Sequence, residues 1–262
     1  MLLALLLALA AGGTTPDQSR ADLLARCTAA TDEVAVQTCT ALIDRDPAGL
    51  DLAPAYQSRG AAYLAAAAFD PAIADFTRVI ALDRHSAAAF EGRGLAYMGE
   101  KQLEMAVADL SRAIELAPQS TKALIERGEA YAAMDDYAHE VEDDTSAIKL
   151  DQTLADAYEH RGLAFDAMED YDHALADYAK AIALKPDAAN YYFNRGEAYG
   201  HLKRYDDART DFDAVLKLNP QDWEALYYRG LTAKLAGDAG AGDADIARAR
   251  AADPKLGQPP PP

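Results

Sequence analysis

The stretch "HRGLAFDAMEDYDHALADYAKAIALKP", His160 to Pro186, decides the fold. Two apolar stripes of helical spacing run through it. Gly162 and Phe165, with Tyr158 just upstream, form the first; Tyr171, Ala174, Tyr178 and Ile182 form the second. The polar run between them places a turn, so the segment predicts two antiparallel helices. Glycine and alanine at the facing positions let the helices approach closely while aromatics fill the gaps around them. Pro186 stops the second helix and sets the entry of the next. A single pair cannot bury both of its faces, so stability must come from stacked neighbours.

Those neighbours are present. Arg-Gly occurs at 59–60, 93–94, 127–128, 161–162, 195–196 and 229–230, every 34 residues with no insertion. Three residues past the glycine stand Tyr63, Tyr97, Tyr131, Phe165 and Tyr199, the pattern failing only at Ala233. A small residue follows at Ala72, Ala106, Ala174 and Ala208, with Glu140 and Gly242 as exceptions. Next comes a large apolar residue at Phe76, Leu110, Tyr178, Phe212 and Ile246, broken by Asp144. Units tend to close with Leu-x-Pro, as at Pro118, Pro186 and Pro220.

These residues resemble the tetratricopeptide repeat, whose unit carries Gly, Tyr, Ala, Phe and Pro at such offsets. The resemblance covers residues 53–254 as six units: 53–86, 87–120, 121–154, 155–188, 189–222 and a degraded last one at 223–254. It implies an all-α fold, an α-solenoid of stacked antiparallel helix pairs wound as a right-handed superhelix with a concave groove. Upstream, "EVAVQTCTALIDRDP" (Glu33 to Pro47) matches the second half of a unit, with Ala35 small and Cys39 large and apolar. Residues 17–50 are therefore expected to form a divergent capping repeat. At the other end, the stretch "LAGDAGAGDADIARARAADP" of the last unit has lost its aromatics and carries Arg250 where the others have Ile or Leu, as a solvent-facing cap would.

The termini bear on location. Leu2 to Ala11 is an apolar run of signal-peptide length followed by no cysteine, and Ala8-Leu9-Ala10 offers a cleavage pattern. A signal peptide over residues 1–11, with export to the periplasm or beyond, is the expectation; an uncleaved N-terminal anchor is the alternative. Cys27 and Cys39 fit an oxidising compartment as a disulfide, two buried free thiols being the alternative. Bridging needs Cα atoms within roughly 7 Å, which asks the first helix to end early or enter obliquely. The tail "KLGQPPPP", residues 255–262, is Pro-rich and expected to be unstructured.

Arg59, Arg93, Arg127, Arg161, Arg195 and Arg229 recur in every unit, and so do Asp75, Asp109, Asp143, Asp177, Asp211 and Asp245, sixteen residues downstream. A catalytic residue is needed once, whereas a group needed in every unit is architectural. We expect a ladder of Arg–Asp pairs within a unit or between neighbours. An arginine ladder for anions is the rival, against which the matched aspartates count.

No nucleophile elbow, HEXXH, Walker loop or CXXC occurs, and "GDAGAGDAD" (Gly237 to Asp245) lacks EF-hand spacing. We expect no enzyme, no metal and no cofactor. His85, His139 and His173 are expected to be solvated; His160 and His201 lie on first helices and could reach the groove. Net charge is −18, which disfavours nucleic acid and anionic membranes and favours cationic partners.

Function should then lie in the groove. The resemblance places Gln57, Glu91, Leu95, Ile125, Glu129, Glu159, Leu163, Asp166, Phe193, Glu197, His201, Tyr227 and Leu231 along it. Family members that clamp acidic tails use Lys, Asn and Arg there; only Lys122 and Lys234 are basic at comparable places. A protein or peptide with basic and hydrophobic features suits the groove better. The expected function is a non-catalytic binding scaffold, with a structural subunit of a cell-envelope complex assembling by its convex face or edges as the alternative. Glu140 and Asp144 set the third unit apart, as a hinge, a ligand pocket or local drift.

Overall fold

The computed structural model describes residues 16–30, 32–45 and 52–257. The expected signal segment at 1–11 and the last residues of the tail lie outside them. Among the described residues there are fourteen α-helices and no strand. The capping pair is α1 (Pro16–Ala29) and α2 (Asp32–Arg45). The six units follow as α3 (Ala53–Ala65) with α4 (Phe69–Leu82), α5 (Ala87–Gly99) with α6 (Leu103–Leu116), and α7 (Thr121–Ala132) with α8 (Tyr137–Leu150). Then come α9 (Ala155–Ala167) with α10 (Tyr171–Leu184), α11 (Ala189–His201) with α12 (Tyr205–Leu218), and α13 (Trp223–Leu235) with α14 (Ala239–Ala252). They fall into two compact units, one ending at Ala117 and one beginning at Pro118.

Each first helix is closed in the same way. Ala67, Lys101, Asp135, Glu169 and Lys203 take left-handed φ between 54° and 61°, and Gly237 takes 99°. The following N–H then returns to the carbonyl of the residue three past the Arg-Gly glycine, as Ala68 donates to Tyr63 and Asp170 to Phe165, both at 2.8 Å. This is the Schellman closure, and glycine supplies its left-handed residue only in the last unit.

The repeated small and large residues are the core. Ala72, Ala106, Ala174 and Ala208 are fully buried, and Phe76, Leu110, Tyr178 and Phe212 nearly so. The glycine of the Arg-Gly pair is a point of close approach: a Cβ on Gly162 would meet the Tyr178 ring at 2.7 Å. The last unit is thinner, with only Gly242 and Ala249 of α14 buried.

At the other end Cys27 and Cys39 are joined by a disulfide across a Cα separation of 4.8 Å. Helix α1 does not end early; the bridge leaves its last turn, and α1 packs on both α2 and α3. Both sulfurs are buried with Leu42, Ile43, Leu52 and Tyr56. The cap is thus a disulfide-stapled helix pair on the first full unit.

Candidate partner-binding face

The arginines are committed to the scaffold. In Arg59, Arg93, Arg127, Arg161 and Arg195, Nε and Nη2 donate to both oxygens of Asp75, Asp109, Asp143, Asp177 and Asp211 respectively, at 2.6–2.9 Å. The hydrogen bonds they donate to these carboxylates hold the guanidinium pKa values above their ordinary range. Nη1 often reaches the preceding helix pair: Arg59 to Thr40, Arg93 to Thr77, Arg161 to Thr145 and Arg229 to Asp213, at 2.6–3.1 Å. Beside Arg195 the matching position is Ala179. Arg229 also donates to Asp245 at 2.7 Å. Arg59, Arg93, Arg161 and Arg229 therefore bond both within their own repeat and to the previous one, and the guanidinium is occupied where an anion would need it free.

Two of the histidines also hold the scaffold together. His139 and His173 place Nδ1 2.7 and 2.8 Å from the N-cap carboxylates of Asp136 and Asp170, and their rings stack on Tyr131 and Phe165. An Asp-x-x-His pair with a preceding aromatic is the sequence signal for this cap. Among the described residues, no group of three or more His, Cys, Asp or Glu could hold a metal ion. Nor is any of their helices long and apolar enough to cross a membrane.

The first helices present the remaining candidates. In the N-terminal unit, Gln57 on α3 and Glu91 and Leu95 on α5 are half-buried, and Gln57 Oε1 is buried without a partner. In the C-terminal unit three candidates are taken up by packing. Ile125 lies against the Ile148, Tyr158 and Tyr191 cluster. Phe193 makes edge contacts with Phe212 and Tyr228, ring centroids 5.5 Å apart in each. Tyr227 is covered by Arg250, whose guanidinium sits 5.4 Å from its ring. Arg250 also donates to the Leu256 carbonyl at 3.2 Å. Of the tail expected to be unstructured, Lys255–Gly257 therefore form a turn held against the last pair.

The acids are what remain available. Glu159 accepts from Asn190 and Asn194 at 2.6 and 3.0 Å, a bracket across successive first helices. Asp166 has one carboxylate oxygen buried without a partner. Burial pushes its pKa up, opposed by His201. Glu197 is likewise pushed up, by burial first and then by Asp166 and Glu224. His201 stacks on Tyr171 at 5.1 Å, and Leu163 is exposed. Glu197, His201 and Leu231 line one cavity of about 280 Å³ together with Gly200, Tyr228 and Leu235. Glu129 is exposed, 3.9 Å from His160 Nδ1. Among the described residues no lysine or arginine forms an ion pair with Glu159, Asp166 or Glu197.

In the third unit Asp144 is 0 % exposed and neither of its oxygens has a hydrogen-bond partner. Burial, then Glu140 and Asp143, raise its pKa to about 8. Glu140 is buried beside it and raised to about 7.

Comparison with known proteins agrees with the geometry. Models of the tetratricopeptide repeat match residues 87–120 and 189–222, and a model described as TPR repeat matches 167–203. No curated protein matches. A tetratricopeptide repeat protein from Parabacteroides merdae superimposes with TM-score 0.68 at 16% identity, over 90% of this chain and 94% of that one. MamA protein gives 0.59 at 27% identity over 64% and 92%. YrrB, described as a TPR protein with an unusual peptide-binding site, gives 0.59 at 20% identity over 69% and 93%. The chain carries tetratricopeptide repeats, and its fold is an α-solenoid of antiparallel helix pairs.

Proposed function

We propose that the protein is a non-catalytic scaffold that captures an extended, basic segment of a partner protein along the first-helix face of its C-terminal unit. One observation carries the reading. Glu159, Asp166 and Glu197 stand on the successive first helices α9 and α11 with no lysine or arginine paired to them among the described residues. Acids that burial pushes upward gain most from a cation brought to them, because the low-dielectric setting strengthens the pair. Leu163 on α9 and Leu231 on the next first helix, α13, add apolar contact beside the charges. YrrB's description as a peptide-binding repeat protein supports this use of the face. The apolar run at residues 2–11 and the Cys27–Cys39 bridge support an oxidising site of action such as the periplasm.

The test is selection of peptides from a random display library on the immobilised chain. Selected peptides should be rich in Lys and Arg. The double substitution Glu159→Gln with Asp166→Asn should weaken them about tenfold while the melting temperature holds. Acidic or neutral peptides, or unchanged affinity for the double variant, would sink the reading.

A further inference from the structure

The cavity beside Glu197 is of mixed character. Leu231, Leu235 and Tyr228 form an apolar wall, and Glu197 is the carboxylate set in it. Leu235 is 64% exposed, a large apolar side chain left open at the rim. Asp166 on α9 and Glu224 on α13 lie close enough to disfavour the charge on Glu197, and His201 opposes them. The volume, about 280 Å³, exceeds what one side chain needs.

Three kinds of partner group can be compared for this space. A purely apolar side chain would cover the wall but strip water from Glu197 and give nothing back. A carboxylate would meet three acids. A basic side chain satisfies both halves, since its methylene stem lies on leucine while its head meets carboxylate. We propose that this cavity receives a basic side chain, lysine in its simplest form, from the extended partner segment, with its stem against Leu231 and Leu235 and its ammonium at Glu197. The proposal rests on the face assigned above and adds to it a register: one basic residue of the partner is fixed between α11 and α13.

Gly200 makes the idea testable without disturbing the core. It lines the cavity, and a Cβ built there meets no atom within 4 Å, so a larger side chain enters open space. Leucine in a helix is also favoured over glycine. The experiment is an NMR titration of the ¹⁵N-labelled full chain with the acetylated, amidated pentapeptide Ala-Ala-Lys-Ala-Ala and with its norleucine counterpart, which keeps the stem and lacks the charge. The lysine peptide should shift the amides of Gly200, His201, Leu231 and Leu235 and bind at least fivefold tighter than the norleucine peptide. Glu197→Gln should erase that difference. Gly200→Leu should abolish both signals with the melting temperature kept or raised. Equal binding of the two peptides, or a lysine preference that survives Glu197→Gln, overturns the proposal. If neither pentapeptide moves these amides while selected basic peptides still lose affinity on Glu159→Gln with Asp166→Asn, the cavity assignment falls and the binding face stands. If the selected peptides also ignore those substitutions, both fall.

Discussion

Asp144 fills the position that holds Phe76, Leu110, Tyr178 and Phe212 in other units, yet it offers a carboxyl group with nothing to bond. Around it stand Glu140, Asp143 and Glu129, opposed by Arg161. Its pKa of about 8 in the fold contrasts with about 4 in an unfolded chain. Between those values the unfolded chain binds fewer protons, so stability falls as pH rises through the window and levels off above it. Glu140, at about 7, acts in the same sense. We predict a melting temperature lower by on the order of 10 °C at pH 9 than at pH 5. Glu140→Ala with Asp144→Leu should remove most of that slope and raise stability at pH 8; a slope unchanged in the double variant would refute the assignment. A smaller dependence should persist from Asp166 and Glu197, which are also raised. The departure of this unit from the repeat was visible in the sequence. Its cost was not, because burial of the two carboxyls depends on how closely α7 and α8 pack.

At the level of the helix pair, one conserved spacing hides two environments. Gly162 and Gly128 hold the same place in their units. A Cβ on Gly162 would lie 2.7 Å from the Tyr178 ring, whereas on Gly128 its nearest neighbour is Asp144 Oδ1 at 3.6 Å. The smaller Asp144 has left the third pair slack. Gly162→Ala should therefore cost about 1–3 kcal/mol through overpacking, while Gly128→Ala should gain about 0.4–1 kcal/mol by restricting the unfolded chain. Denaturant midpoints of the two variants check this, and a loss of similar size in both would refute it. The helix pairs and the existence of Arg–Asp pairing were legible because the sequence pattern recurs every 34 residues. The choice between pairing within a unit or with a neighbour, and the threonines that Nη1 reaches, were not. Nor were residues whose fate is set by a neighbouring element. Phe193 turns into the core because Tyr228 on the next first helix meets it, and Tyr227 is covered because the chain returns over it after α14. Offsets within one unit carry no record of either event.

Over the whole molecule, the −18 net charge acts on folding and on binding with opposite sign. Like charges repel within the compact chain, and salt shortens the reach of that repulsion to a Debye length of about 8 Å at physiological ionic strength. The same field attracts a basic segment and speeds its encounter, and salt weakens that attraction too. Raising NaCl from about 0.02 M to about 0.5 M should therefore increase the melting temperature by a few degrees while slowing association with a selected basic peptide about tenfold. The two effects separate in paired measurements, thermal denaturation and stopped-flow binding on one preparation. Glu197→Gln should change dissociation far more than association, because one carboxylate in a cavity fixes the bound state whereas the summed charge steers the approach. An association rate indifferent to salt would mean that apolar contact, and not the acidic face, brings the partner in.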